Sequence, residues 1–141
     1  MIISVANQKG GVGKTTTTQA LYSGLVLKGY KVLAIDLDPQ SNLSIALGAI
    51  TDETVNTIFE VMDNVCPVIE AIQEIDGGSV IPSNILLSGA EREFINKMRR
   101  EELLRSQLLS ISKDFDFILI DTPPSLGILT INAFCASDKI I

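Results

Sequence analysis

Three stretches of this sequence concentrate side chains able to do chemistry together. The first is Lys9-Gly10-Gly11-Val12-Gly13-Lys14-Thr15-Thr16. Glycines at this density let a backbone curl until successive N–H groups point inward at phosphate oxygens. A helix starting near Lys14 adds its positive amino-terminal end to the same place. The Lys14 ammonium can reach the β- and γ-phosphates, and the Thr15 hydroxyl can ligate Mg²⁺. The second stretch is Asp36-Leu37-Asp38-Pro39-Gln40. Alternate residues of an extended segment lie on one side, so one carboxylate can hold a Mg²⁺-bound water while the other positions an attacking water. The third is Phe117-Ile118-Leu119-Ile120-Asp121-Thr122-Pro123-Pro124, an apolar run that delivers one carboxylate at its carboxyl end, suited to binding Mg²⁺ through water.

The elements that must position these residues follow from hydrophobic spacing. Ile2–Ala6 is a short β-branched run and reads as a buried strand. From Lys14 to about Lys28 the residues Ala20, Leu21, Leu25 and Val26 recur at helical spacing, and Gly29 stops the helix. Lys31–Ile35 is a second buried strand, so Ile2–Asp36 forms a parallel βαβ crossover. Further on, the pattern predicts a short helix at Ser41–Leu47, helices near 54–62 and 67–75, and a turn at Gly77-Gly78. A strand at Ser79–Pro82 and helices at Ser88–Met98 and Glu101–Ile111 come next. The last elements are a strand at Phe115–Ile120, a helix at Ser125–Cys135 and a strand from Lys139 to Ile141. This order points to an α/β fold: an open, mostly parallel sheet with helices on both faces, in one domain spanning 1–141. Ligands of such sheets sit at the carboxyl ends of the strands, which brings Asp36, Asp38 and Asp121 close to the glycine loop.

Composition removes competing chemistries. The chain of 141 residues has no histidine, which excludes a Ser–His–Asp or Cys–His nucleophile and a His-ligated zinc site. Aromatics are only 5%, too few for a base-stacking platform. A net charge of −6 rules out a globally basic, phosphate-tracking surface. Cys66 and Cys135 stand far apart and read as buried small hydrophobes. No apolar run is long enough to span a membrane, and Met1 leads straight into the first strand with no basic leader, so the cytoplasm is the expected compartment. Residues 51–80 hold seven acidic side chains and no Lys or Arg, the pattern of a solvated acidic surface. Arg92, Lys97, Arg99, Arg100 and Arg105 interleave with Glu91, Glu93, Glu101 and Glu102, as in a salt-bridged exposed helix pair.

The glycine loop departs from the ordinary phosphate loop G-x4-G-K-[ST]. Gln8 stands where the first glycine would fall, and a second lysine, Lys9, begins the loop. This signature-lysine form resembles the deviant Walker-type ATPases of the ParA/Soj and MinD group. Asp36-Leu37-Asp38-Pro39-Gln40 matches the first switch of the ParA/Soj partition ATPases, and Asp121-Thr122-Pro123-Pro124-Ser125 matches their second. Ile81-Pro82, Leu87–Glu91 and Leu126–Ala133 are similar to further family segments.

The resemblance implies a P-loop ATPase with ATP or ADP held by Lys9 to Thr16 and Mg²⁺ served by Thr15, Asp36 and Asp121. Lys14 and Asp38 are the implied catalytic residues, and Lys9 acts on the neighbour's nucleotide across an ATP-dependent homodimer. It also implies chromosome or plasmid partition, nonspecific binding to nucleoid DNA, and a centromere-binding, ParB-like partner. Family members continue beyond the length of this chain, which is expected to be a C-terminally truncated or shortened form. Two alternatives differ in kind: a regulatory module that binds nucleotide with negligible hydrolysis, and a MinD-like membrane-associated ATPase. The latter typically lacks Asp-x-Asp-Pro-Gln and carries a C-terminal amphipathic helix that does not end this sequence.

Overall fold

The computed structural model describes residues 1–141, the side chain of Glu91 apart. Strand β1 (Ile2–Val5) leads through the glycine loop into helix α1 (Lys14–Leu27) and then β2 (Val32–Asp36). Helices α2 (Asn42–Ala46) and α3 (Ile58–Asp63) precede β3 (Gln73–Ile75) and β4 (Gly78–Ile81). After α4 (Ala90–Phe94) and α5 (Leu103–Leu108) come β5 (Phe117–Asp121), α6 (Ile128–Ala136) and β6 (Lys139–Ile140). The sheet order is β3-β4-β2-β5-β1-β6, parallel throughout except for the β3–β4 pair.

Strand periodicity divides the core into two layers. On β2 and β5, Leu33, Ile35, Ile118 and Ile120 face the side covered by α3 to α6, with Met62, Phe94, Leu104, Leu108 and Ala133. Val32, Ala34 and Leu119 face the other side, against Tyr22 of α1 and Leu43 of α2. All five residues of β2 are buried, as expected of a strand covered on both faces. Helix α1 seats itself differently from its apolar spacing: its buried residues are Thr18 and Tyr22, while Leu21, Leu25 and Val26 are only partly covered. It ends as expected, with Gly29 at φ 85° and its N–H on the Val26 carbonyl at 2.8 Å.

Several element boundaries shift. The helix expected near 54–62 starts only after Thr57, because Thr57 and Glu60 form a reciprocal cap: the Thr57 side chain accepts from the Phe59 N–H at 3.3 Å and Glu60 accepts from the Thr57 N–H at 2.8 Å. The helix expected at 67–75 is absent. Val68–Ala71 is a single 3₁₀ turn, and Gln73–Ile75 instead pairs antiparallel with β4 and caps that edge of the sheet. The expected helices at Ser88–Met98 and Glu101–Ile111 contract to α4 and α5, each joined to a 3₁₀ turn. Among the described residues, the basic cluster forms one ion pair within itself and one outside it. Lys97 reaches Asp63 of α3 at 2.6 Å, Arg99 pairs with Glu102, and the side chain of Glu91 lies outside the described residues. Cys66 is buried and Cys135 half-buried, both as free thiols.

The β3–β4 turn explains two adjacent glycines. Gly77 has φ +82°, and a Cβ there would meet Val26 Cγ1 at 2.6 Å. A Cβ on Gly78 would overlap the Tyr22 hydroxyl and meet Tyr22 Cζ at 3.0 Å. That hydroxyl is buried with no hydrogen-bond partner among the described residues, and burial with the nearby Glu74 charge raises its pKa to about 12. Gly78→Ala should therefore cost about 1–3 kcal/mol through overpacking, whereas Tyr22→Phe should be neutral or stabilising by up to about 1 kcal/mol. Urea unfolding of the two variants checks this. A Gly78→Ala chain as stable as wild type would show that the turn does not press on Tyr22.

Candidate functional site

The glycine loop folds as its composition requires. Gly11 and Gly13 take φ values of 71° and 89°, left-handed conformations that side-chain-bearing residues resist. Gly13 caps α1, and its carbonyl accepts the Thr17 N–H at 2.8 Å, closing the first helical turn. The first-turn N–H groups thus open toward the loop at the positive end of a helix of 14 residues. A Cβ at Gly10, Gly11 or Gly13 would meet nothing within 4 Å, so open space lies beside the loop at these positions. Lys14 and Thr15 are half-buried, while Lys9 is exposed, its own N–H tied to Asn7 Oδ1 at 3.0 Å.

Strand pairing places the carboxylates. Asp36 ends β2 and Asp121 ends β5, and the two are register partners on adjacent parallel strands. Both are fully buried. Asp121 accepts from Thr15 Oγ1 at 2.7 Å and from Thr18 Oγ1 at 3.2 Å. Burial raises its pKa above the usual carboxylate value against those two hydrogen bonds. Asp36 accepts from the Asp38 N–H at 3.0 Å through one oxygen, and from the Ser44 N–H and hydroxyl at 2.9 and 2.8 Å through the other. Burial pushes the Asp36 carboxyl up to about 6 despite these donors, and the charge of Asp121 adds to the rise. Asp38 is different: it lies beyond the strand, half-buried, and among the described residues its carboxylate accepts one hydrogen bond, from the Gln40 N–H at 2.9 Å.

A cleft of 410 Å³ joins these parts, lined by Gly10, Gly11, Gly13, Lys14, Thr15, Thr16, Asp38, Gln40, Asn42 and Pro124. It therefore gathers the loop, the segment after β2 and the segment after β5. Asp36 and Asp121 are not in its wall but behind it, while Val12 and Lys9 lie outside. A larger groove of 600 Å³ sits at the opposite, amino end of the strands and contains none of the sequence-predicted residues.

The oxygen donors near Lys14 suit Mg²⁺, which takes one or two protein oxygens and leaves its other positions to phosphate and water. Thr15 and Asp121 are hydrogen-bonded to each other and supply a hydroxyl and a carboxylate at one point. Among the described residues no group of three or more His, Cys, Asp or Glu side chains is placed to hold a metal by itself.

Sequence reasoning missed two hydroxyls. Thr18 lies one helical turn beyond Thr15 on the same face of α1, a spacing that could have pointed to it. Ser44, eight residues after Asp36, has no local signal, because only the fold of α2 brings it back to β2.

A glycine-loop cradle at a helix start, between parallel strands whose ends carry buried carboxylates, defines a P-loop nucleotide-binding domain. Known proteins narrow the class. The whole chain, residues 1–141, matches the AAA domain family, and it belongs to the ParA/Soj branch of those ATPases. It is 41% identical to the sporulation initiation inhibitor protein Soj of Bacillus subtilis, over 99% of this chain and 56% of that protein. It is 42% identical to the chromosome partitioning protein ParA of Myxococcus xanthus, over 99% of this chain and 50% of that protein. A crystal structure of a cobyrinic acid a,c-diamide synthase from Mycobacterium smegmatis, with bound ATP analogue and magnesium, superposes with a TM-score of 0.95 at 39% identity, covering 99% of this chain and 57% of that one. The chain thus spans about half the length of the relatives it matches. Among the described residues no helix is long and apolar enough to cross a membrane.

The buried Asp36 sets a pH dependence. Its folded pKa of about 6 exceeds the ordinary 3.8, so the folded chain holds a proton that the unfolded chain has released. The stability this proton contributes is present below the unfolded pKa and is lost as pH rises through the folded one. Asp36→Asn, which does not titrate, should gain on wild type by up to about 3 kcal/mol between about pH 4 and about pH 7. Parallel unfolding curves for the two proteins across that range would refute it.

Proposed function

We propose that this chain forms the nucleotide site of a partition-type ATPase that binds ATP with Mg²⁺, hydrolyses it, and uses the bound state to switch an ATP-dependent homodimer in chromosome or plasmid segregation. The observation that carries the reading is the convergence of Lys14, Thr15 and Asp38 on one cleft beneath the glycine loop. Lys14 and the loop N–H groups neutralise charge on the β- and γ-phosphates, where it grows in the transition state. Thr15 and Asp121 would hold Mg²⁺, which would supply charge neutralisation to the phosphates. Asp38, half-exposed and with its carboxylate bonded to the Gln40 N–H of its own turn, is free to orient a water toward the γ-phosphate. Asp36 and Thr18 hold the surrounding backbone and Asp121 in place. Exposure of Lys9 at the mouth of the loop supports a role on a partner's nucleotide. Nonspecific DNA and a ParB-like, centromere-binding protein are the partners this reading brings, with a cytoplasmic, nucleoid-associated location.

Lys14→Ala should weaken Mg-ATP binding by at least about tenfold, since the loop loses its mobile cation. Asp38→Ala should keep binding and slow hydrolysis, because it removes a water-orienting group and no phosphate ligand. Calorimetric titration and single-turnover hydrolysis separate the two effects. Tight nucleotide binding with no turnover in wild type would assign the chain to the regulatory, non-hydrolysing class instead.

A site completed in trans works only as fast as the dimer is populated, so specific activity should rise with protein concentration. Lys9→Ala should lower that concentration-dependent activity and ATP-dependent dimerisation while leaving ADP binding by the monomer intact. Sedimentation with and without Mg-ATP is the measurement. A monomer whose turnover ignores both concentration and Lys9 would remove the trans role.

A further inference from the structure

We infer that Ser44 is a positioning residue for hydrolysis, acting on Asp38 through Asp36; the inference rests on the ATPase reading above. Ser44, Asp36 and Ser83 are all fully buried. The Ser44 hydroxyl accepts the Ser83 N–H at 3.0 Å, just past the end of β4, and lies 2.8 Å from Asp36 Oδ2. With one lone pair committed to Ser83, its single proton goes to Asp36. The Ser44 N–H donates to the same oxygen at 2.9 Å. The other oxygen of Asp36 receives the Asp38 N–H at 3.0 Å. The carboxylate of Asp36 is therefore a relay clamped between α2 and the Asp38 backbone. Ser44 decides where that relay sits, because it joins the segment after β2 to the end of β4.

Asp38 needs such support. Among the described residues its side chain accepts one hydrogen bond, from the Gln40 N–H within its own turn. The direction in which its carboxylate faces the cleft therefore depends on its backbone, whose N–H is fixed by Asp36. Without the Ser44 hydroxyl, the buried Ser83 N–H loses its acceptor and Asp36 loses a charge-assisted donor. Held at that oxygen by the Ser44 N–H alone, Asp36 can then shift, and Asp38 follows. The glycine loop, Lys14 and Thr15 take no part in these hydrogen bonds, so nucleotide affinity should be spared.

The test compares Ser44→Ala with Ser44→Thr in the full chain. Ser44→Ala should slow single-turnover hydrolysis at saturating Mg-ATP by about tenfold or more while Mg-ADP affinity stays within about threefold. Ser44→Thr, which keeps the hydroxyl, should restore most of the rate. An unchanged rate in Ser44→Ala, an equal loss in both variants, or a parallel loss of ADP affinity would each overturn the inference.

Absence of turnover in wild type would count against the ATPase reading and not against this linkage, which amide exchange then decides. In the Mg-ADP complex the Asp38 N–H should exchange about tenfold faster in Ser44→Ala than in wild type, and protection unchanged at Asp38 overturns the inference. If Ser44→Ala does not fold, exchange in wild type is the measure. The Asp38 and Ser83 N–H groups should open with one shared protection factor, and independent opening overturns the linkage.

Discussion

Asp36 and Asp121 stand side by side at the ends of β2 and β5, in register and without solvent. Two carboxylates so placed repel one another and have lost their hydration, so each must be met by donors from the protein. Most donors come from one helical layer, with Thr15 and Thr18 of α1 serving Asp121 and Ser44 of α2 serving Asp36, while the Asp38 N–H of the following turn completes Asp36. Satisfying the pair therefore fixes both helices against the sheet. It also fixes the glycine loop, which is the amino-terminal lead of α1, and the segment carrying Asp38, which is the lead of α2.

The rest of the sheet makes this arrangement rigid. β2 and β5 are central strands, and their side chains feed both layers of the core. The segments that leave them are tied together as well. The Leu37 N–H donates to the Asp121 carbonyl at 2.9 Å, and the Thr122 hydroxyl donates to the Val5 carbonyl at 2.8 Å. The cleft is thus walled by segments anchored at their roots and free at their tips. The anchored parts are buried and polar, and the tips, Asp38 and Gln40, carry half-exposed or exposed side chains that line the cleft.

The elements nearest the chemistry were legible in the sequence, and those far from it were misread. The strand–loop–helix–strand unit at the start of the chain has strong local signals: β-branched runs, clustered glycines and a terminal Gly29. The hairpin of β3 and β4 also had one, Asp76-Gly77 ahead of an apolar run. Yet Val68, Ile72 and Ile75 fall at helical spacing, and the three-residue partner strand is too short to show a period of its own. Pairing with the open edge of β4 decided its conformation. Likewise Thr57 and Glu60 give α3 a start that a reading by apolar spacing alone placed too early.

For the site, local sequence determined the residues proposed to handle phosphate and metal: Gly10 to Thr16, Asp36, Asp38 and Asp121. Their spacing within short segments is fixed by covalent connection, so the motifs survive as text. Tertiary structure decided how unlike the two carboxylates of the Asp-x-Asp pair are. Asp36 is a buried member of β2 bound by three donor groups, and Asp38 is a half-exposed residue of the following turn. It also supplied Thr18, Ser44 and the Ser83 N–H, whose roles depend on where α1, α2 and β4 come to rest. Burial and hydrogen-bond satisfaction are properties of packed neighbours distant along the chain, and a run of letters records none of them until the sheet has formed.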